Sequence, residues 1–289
     1  MSSVLITGAS KGIGFETALA FARAGYTVYA TMRDPSRSPQ LEQIAAREKL
    51  PIMVSAMDVD SDESVREGIG RIQNEHGPID VLVNNAGIVE VGSVEELPLA
   101  DFRGVMETNY FGALRCIQAV APQMRQRRSG YIINVSSVGG RVASPPMAAY
   151  AASKFALEAL SEALAGEMKM FNVRVAIIEP RIIDTAMAHR IAGNRNKSQY
   201  PQSESFAAMF TEALQNPVPP SVVAAKILEI VQSETWQLRH PVGLDAVPFL
   251  QWRAQMTDEA WVDLQAGHDE NRERGMQGDA GPETESKAG

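Results

Sequence analysis

The sequence predicts a doubly wound α/β protein built on a parallel sheet. Short apolar runs rich in β-branched residues alternate along the chain with longer stretches of helical period. Several of those runs are apolar almost throughout, as strands are when both faces of a sheet are covered. The first run leads at once into a glycine-rich turn and a further helical stretch. The first strand–helix turn of such a sheet is where these folds bind dinucleotides.

Strands are expected at residues 4–7, 27–31, 52–57, 81–84, 131–135 and 174–178, with a seventh near 236–240. Helical period runs through 13–24, 40–48, 63–75, 101–125, 150–170 and 221–232. The stretch from about 185 to 220 is rich in Asn, Gln, Ser and Pro. It is expected to be irregular, a lid or substrate loop. No linker divides residues 1–266, so one domain is expected there. The polar, Gly-rich tail at 267–289 is expected to be disordered.

The chain has 289 residues, 45% hydrophobic and 21% charged, as in ordinary globular proteins. A net charge of -8 argues against a nucleic-acid-binding face. The single cysteine, Cys116, excludes an intramolecular disulfide and reads as a buried small hydrophobe. His76, His189, His240 and His268 show no metal-ligand spacing, so no metal is expected. With no apolar run long enough for a membrane span and no signal-like leader, a cytoplasmic location is expected.

The turn reads Thr7-Gly8-Ala9-Ser10-Lys11-Gly12-Ile13-Gly14. Its glycines permit unusual backbone angles and a close approach to a pyrophosphate, while the helix start offers free N–H groups. The spacing is G-x-x-x-G-x-G rather than G-x-G-x-x-G, and a tight turn alone would also need such glycines. The second strand run ends in Thr31-Met32-Arg33 with no acid at its tip. Lys11 and Arg33 near that corner favour a 2′-phosphate, hence NADP(H) over NAD(H), although Asp34 beside Arg33 weakens the field.

Tyr150 and Lys154 lie at i, i+4, on one face of a helix one turn apart. An unperturbed tyrosine titrates near 10, and a nearby ammonium is expected to draw it toward the working range. Alone, the pair could be packing and a solvated tip. Ser137 at the end of the fifth strand run, and Asn109 inside an otherwise apolar helical stretch, supply further polar groups for the same site.

These motifs resemble the short-chain dehydrogenase/reductase family over roughly residues 3–240. Thr7-Gly-x-x-x-Gly12-x-Gly14, Asn84-Asn-Ala-Gly87, Asn109, Ser137 and Tyr150-x-x-x-Lys154 stand in the family's order and spacing. Tyr29-Ala-Thr-Met-Arg-Asp34, Ser137-Val-Gly-Gly140 and Ser153-Lys-Phe-Ala-Leu-Glu158 resemble its hydroxysteroid and retinol dehydrogenase branch. The resemblance implies a Rossmann-type fold of about seven strands, with helices on both faces. It implies Tyr150 as general acid/base, and Lys154 tuning it while bonding the nicotinamide ribose. Ser137 would hold the substrate oxygen, and Asn109 would anchor a water in the proton relay. Among cofactor residues it implies Asp58 and Val59 at the adenine, Asn85, Ala86 and Gly87 beside the adenosine ribose, and Ile183 and Thr185 near the carboxamide.

One departure is Arg181, where the family usually has Gly after Pro180. Arg181 is expected to point to solvent; the alternative is a cation that tunes substrate choice toward anionic groups. The expected substrate is a small-molecule carbonyl or alcohol, medium-sized and lipophilic. Ile182, Ile183, Met187, Ile191, Phe206, Met209 and Phe210 are candidates to line its pocket. The resemblance also implies a homodimer or homotetramer, with Ala152, Ala156, Ala159 and Ala163 permitting close helix packing; burial against the sheet explains the same alanines. The competing readings are a non-catalytic dinucleotide-binding regulator, and an isomerase or dehydratase on the same fold.

Overall fold

The computed structural model describes residues 2–195, 197–233 and 235–267. Among them are seven strands: β1 (Ser3–Thr7), β2 (Thr27–Met32), β3 (Ile52–Ala56), β4 (Val81–Asn84), β5 (Gly130–Val135), β6 (Val173–Pro180) and β7 (Arg239–Val242). They form one sheet in the order β3-β2-β1-β4-β5-β6-β7, with every neighbouring pair parallel. The order reverses between β1 and β4, so a crevice opens beyond their carboxyl ends.

Side chains of β1 alternate between two cores. Val4 and Ile6 pack with Phe21 of α1 (Gly12–Arg23), Leu41 of α2 (Gln40–Glu48) and Ile227 of α9 (Pro220–Gln232). Leu5 packs on the other face, with Ile69 of α3 (Asp62–His76), Val120 of α5 (Gly112–Arg127) and Leu164 of α6 (Ala148–Lys169). This two-sided burial is why the strands read as continuous apolar runs. Cys116 lies fully buried in the second core, where burial pushes its thiol up to about 12.

The remaining helices depart from the sequence expectations. The long helix expected over 101–125 is α4 (Leu99–Met106), a π-helical turn (Glu107–Phe111) and α5. Gly112 starts α5 where a Cβ would stand 2.8 Å from Val59 Cγ2. The irregular segment expected near 185–220 contains α7 (Ala186–Ala192) and α8 (Gln202–Ala213). Thr185 caps α7, its Oγ1 accepting from Ala188 N at 3.3 Å. Phe206 and Phe210, one turn apart on α8, pack with Met187, Ile191 and Val89. β7 begins three residues later than expected: its partner β6 pairs from Ile177 with Arg239, and Trp236 is exposed. Beyond it lie α10 (Ala246–Ala254) and α11 (Asp258–Ala266), where no element was expected. The tail expected to be disordered lies, from residue 268 on, outside the described residues.

Candidate active site

At the crevice between β1 and β4 the chain makes two left-handed steps, Gly8 at φ +66° and Gly12 at φ +61°. A Cβ on Gly8 would lie 2.7 Å from Ala86 Cα, and one on Gly12 would lie 3.3 Å from Thr185 Cγ2. Only glycine fits both the angles and the space. A Cβ on Gly14 would meet Asn85 Nδ2 at 2.4 Å and Gly8 O at 2.6 Å, so Gly14 lets the helix start close against the turn and does not line the cleft. Asn85 ties the turn down: Nδ2 donates to Thr7 O at 2.9 Å and to Gly8 O at 3.1 Å. Thr7 Oγ1 in turn accepts from the N–H groups of Asn85 and Ala86, both at 3.0 Å. Helix α1 then starts after Lys11 with no side-chain cap on its first N–H groups. This uncapped, glycine-made cradle fits a dinucleotide's pyrophosphate.

A cleft of about 510 Å³ runs from this cradle past the carboxyl ends of the strands. Gly8, Ser10, Lys11, Gly12 and Ile13 line one end. Arg33, Asp58 and Val59 border it at the ends of β2 and β3, and Ala86 and Gly87 at the end of β4. Lys11 and Arg33 are both exposed. Asp34 is turned away into its own loop, its Oδ1 accepting from Ser36 N at 3.1 Å and from Ser36 Oγ at 2.6 Å. Its charge is thereby partly satisfied, while Arg33 lies close enough to Asp60 for its charge to act on that carboxyl. Asp60, which the sequence reading did not single out, also lines the cleft. Burial pushes its carboxyl up, against the Thr108 hydroxyl bond that lowers it.

The other expected residues meet further along. A chain of side-chain bonds fixes α6 against the sheet: Asn84 Nδ2 to Asn134 Oδ1 at 2.8 Å, Asn134 Nδ2 to Ser161 Oγ at 2.8 Å, and Ser161 Oγ to Leu157 O at 2.6 Å. That fixes the register at which Tyr150 and Lys154 face the cleft, where Ser137 also lines the wall. Ser137 Oγ accepts from Gly139 N at 3.0 Å and donates to Pro180 O at 3.3 Å. Gly139 lies against both Ser137 and Tyr150: a Cβ there would stand 3.4 Å from Ser137 Oγ and 3.5 Å from Tyr150 Cε1, ordinary contact distances.

Lys154 is held to the main chain beside Tyr150. Its Nζ donates to Val135 O at 2.8 Å and stands 5.7 Å from the Tyr150 ring centroid. Burial pushes Tyr150 up to about 12, with the Ser137 hydroxyl pulling the other way. Burial also pushes Lys154 down to about 8, opposed by Glu158. The tyrosine is raised rather than lowered, because burial outweighs the Ser137 hydroxyl bond.

Asn109 sits in the π-helical turn, 1% exposed and behind the cleft wall. Its Oδ1 accepts from Ile88 N at 2.8 Å; its Nδ2 donates to Ile88 O and Ser153 Oγ, both at 2.9 Å. Both amide donors are thus taken by protein groups. Gly87 lies between Asn109 and Lys154: a Cβ there would stand 3.4 Å from Asn109 Oδ1 and 3.8 Å from Lys154 Nζ, ordinary contact distances.

Behind Lys154 lie two buried carboxylates, each paired with an arginine that reaches solvent. Glu158 and Glu179 are 4% and 0% exposed. Arg239 Nε bonds Glu158 Oε2 at 2.9 Å, and Arg141 Nη1 bonds Glu179 Oε1 at 3.1 Å. Burial and the neighbouring Glu158 push Glu179 up.

The apolar end of the cleft contains all seven side chains expected there: Ile182, Ile183, Met187, Ile191, Phe206, Met209 and Phe210. Thr185 lines it as well. Sequence reasoning missed Phe249, Trp252 and Trp261, which face the same cleft from α10 and α11. The i, i+3 spacing of Phe249 and Trp252 was the available signal. Arg181 is also on the wall and not in solvent: its side chain is 10% exposed and paired with Asp245.

This arrangement, a glycine cradle at the reversal point and a Ser–Tyr–Lys cluster beyond it, is that of a dinucleotide-binding oxidoreductase fold. A sequence model of the family described as short chain dehydrogenase matches residues 2–196, and the chain belongs to that family. It is 37% identical over 267 residues to retinol dehydrogenase 8 of Bos taurus, spanning 87% of this chain and 85% of that protein. A solved short-chain dehydrogenase from Streptomyces avermitilis superposes with a TM-score of 0.77 at 32% identity, covering 94% of this chain and 97% of that one. An actinorhodin polyketide ketoreductase with NADPH gives a TM-score of 0.75 at 26% identity, covering 85% and 97%. Among the described residues, no helix is long and apolar enough to cross a membrane.

Proposed function

We propose that this oxidoreductase moves a hydride between NADP(H) and a carbonyl or secondary alcohol on a medium-sized, lipophilic small molecule, with residues 1–266 acting as one domain and α7–α8 covering the substrate. The observation that carries this reading is the continuity of one cleft, from the exposed Lys11 and Arg33 through Ser137, Tyr150 and Lys154 to an apolar end. Retinol dehydrogenase 8 is named for a lipophilic alcohol, and the ketoreductase above was solved with NADPH.

In this reading Gly8, Ser10, Gly12 and Ile13 hold the pyrophosphate, with Gly14 keeping the turn tight. Lys11 and Arg33 pair with the 2′-phosphate. Asp58 and Val59 border the adenine, Asn85, Ala86 and Gly87 the adenosine ribose, and Ile183 and Thr185 the carboxamide. When bound, NADP(H) supplies or accepts the hydride. Ser137 Oγ holds the substrate oxygen and steadies the charge developing on it. Tyr150 donates its hydroxyl proton to that oxygen in reduction and takes it back in oxidation. Lys154 carries the charge that helps return the proton to Tyr150, and Asn109, its amide hydrogens committed to Ile88 and Ser153, would anchor the relay water through Oδ1.

The test is a panel of ketones and alcohols assayed with NADPH and NADH in parallel. For the Lys11→Ala/Arg33→Ala double variant, the NADPH-over-NADH ratio of kcat/KM is expected to fall by roughly 10–100-fold, as two charge-assisted bonds are lost. An unchanged ratio refutes the cofactor assignment, and a wild type inactive on the whole panel refutes the reaction.

The same reading includes self-association. Ala152, Ala159 and Ala163 are exposed on α6, with Ala156 half-buried, so packing against the sheet does not account for them. Phe155 on that helix is 44% exposed and Phe111, at the start of α5, 42%. Small residues flanking exposed aromatics suit a helix face of a second copy. Phe155→Glu is expected to shift the protein from dimer or tetramer to monomer in sedimentation velocity; a wild type already monomeric would refute it.

A further inference from the structure

Strand β6 ends beneath the middle of the cleft, and Arg181, the residue that leaves it, turns inward. Its guanidinium stands 3.9 Å from the Phe249 ring centroid and is ion-paired with Asp245. Its main-chain N donates to Val242 O at 3.0 Å. Burial pulls its pKa down, and Asp245 opposes this in part. Asp245 stands at the start of α10, yet its carboxylate makes no cap there. The group that would ordinarily satisfy the helix start is committed to Arg181 instead.

What Arg181 grips faces the cleft. Phe249 lies one turn into α10, and its ring centroid is 6.1 Å from that of Trp252. Trp252 meets Trp261 of α11 edge-on at 5.7 Å. Trp261 Nε1 donates to Ala143 O at 3.1 Å, and its ring packs against Val142. The two terminal helices are therefore pinned to the sheet side by Arg181 and to the loop after β5 by Trp261. With its charge met by Asp245 and its face covered by Phe249, the guanidinium is not free to receive an anionic substrate group.

We propose that Arg181 is a positioning residue for substrate size: by clamping α10 it holds Phe249, Trp252 and Trp261 as a fixed aromatic wall that favours broad, flat, uncharged substrates over small ones. The proposal rests on the reading of this cleft as the site of carbonyl reduction. A loose wall would pay an ordering cost each time a large ligand bound, whereas a small ketone reaching Ser137 and Tyr150 would not touch it.

The experiment compares acetylnaphthalene with butanone in wild type, Arg181→Met, Arg181→Lys and Asp245→Asn. In Arg181→Met the KM for acetylnaphthalene is expected to rise about tenfold with kcat for butanone unchanged, the loss of a desolvated cation–π contact and its ion pair. Arg181→Lys should recover part of that rise, because the cation remains while the planar stacking surface is lost. Asp245→Asn should move KM the same way. Tryptophan quenching gives the Kd for acetylnaphthalene without turnover, so the clamp is tested even if the wild type reduces neither ketone. An equal loss for both ketones would mark Arg181 as merely structural and overturn the proposal. So would unchanged KM and Kd, or an effect confined to carboxylate-bearing ketones.

Discussion

Replacing Tyr150 by Phe is expected to lower kcat for ketone reduction by roughly 10²–10⁴-fold, the usual worth of a positioned general acid. Affinity for NADPH should stay within about threefold, because the cradle is made by backbone and glycine. The wild-type pH profile follows from the same corner. Tyr150, held up to about 12, keeps its proton across the neutral range and is available as a donor. Lys154, brought down to about 8, carries its charge below that value and loses it above. For reduction, kcat/KM should therefore be level below about pH 8 and fall as pH rises through it. A Tyr150→Phe variant that reduces ketones at the wild-type rate would sink the mechanism.

Lys154→Met should separate activity from stability. Below about pH 8 Lys154 is protonated in both the folded and unfolded chain, so the full cost of burying its ammonium is present. Between about 8 and its ordinary 10.5 the unfolded chain holds a proton that the folded one has released, and wild-type stability should rise with pH across that window. The methionine variant removes this cost and gives up the bond to Val135 O. A net gain of about 1–3 kcal/mol at pH 7 is expected, or a rise in Tm of roughly 2–8 °C. Activity should fall with it. Thermal unfolding from pH 7 to 10 measures this: a lower Tm for the variant at pH 7, or an unchanged slope with pH, would contradict the account.

Much of the fold was readable because local signals agreed. Val4, Leu5 and Ile6 are apolar on both faces, and the glycines at 8 and 12 sit where the backbone turns left-handed, so strand, turn and sheet class followed from adjacent residues. The meeting of Tyr150 and Lys154 with a strand-end serine was legible from spacing, while the choice of Ser137 over Ser136 came from the family resemblance. What escaped depends on partners distant in sequence. Arg181 reads as a solvated loop residue until Asp245 and Phe249 are brought beneath it. The helices after Thr185 were hidden by a polar composition whose apolar residues, Met187, Ile191, Phe206 and Phe210, pack mainly on one another. The break at Asn109 follows from Ile88 and Ser153, which claim its amide. The direction in which Tyr150 is shifted could not follow from an i, i+4 spacing, since desolvation is a property of the assembled cleft.

Two kinds of charge share this cleft. Lys11 and Arg33 stand in water, within reach of dissolved ions, whereas Lys154 is buried on the cleft wall and Glu158 and Glu179 are buried behind it. Mobile salt screens the first group over a Debye length of about 8 Å at physiological ionic strength and hardly touches the second. On the proposed reading, the ionic surroundings would adjust how readily a phosphorylated dinucleotide is captured and leave proton transfer at Tyr150 unchanged.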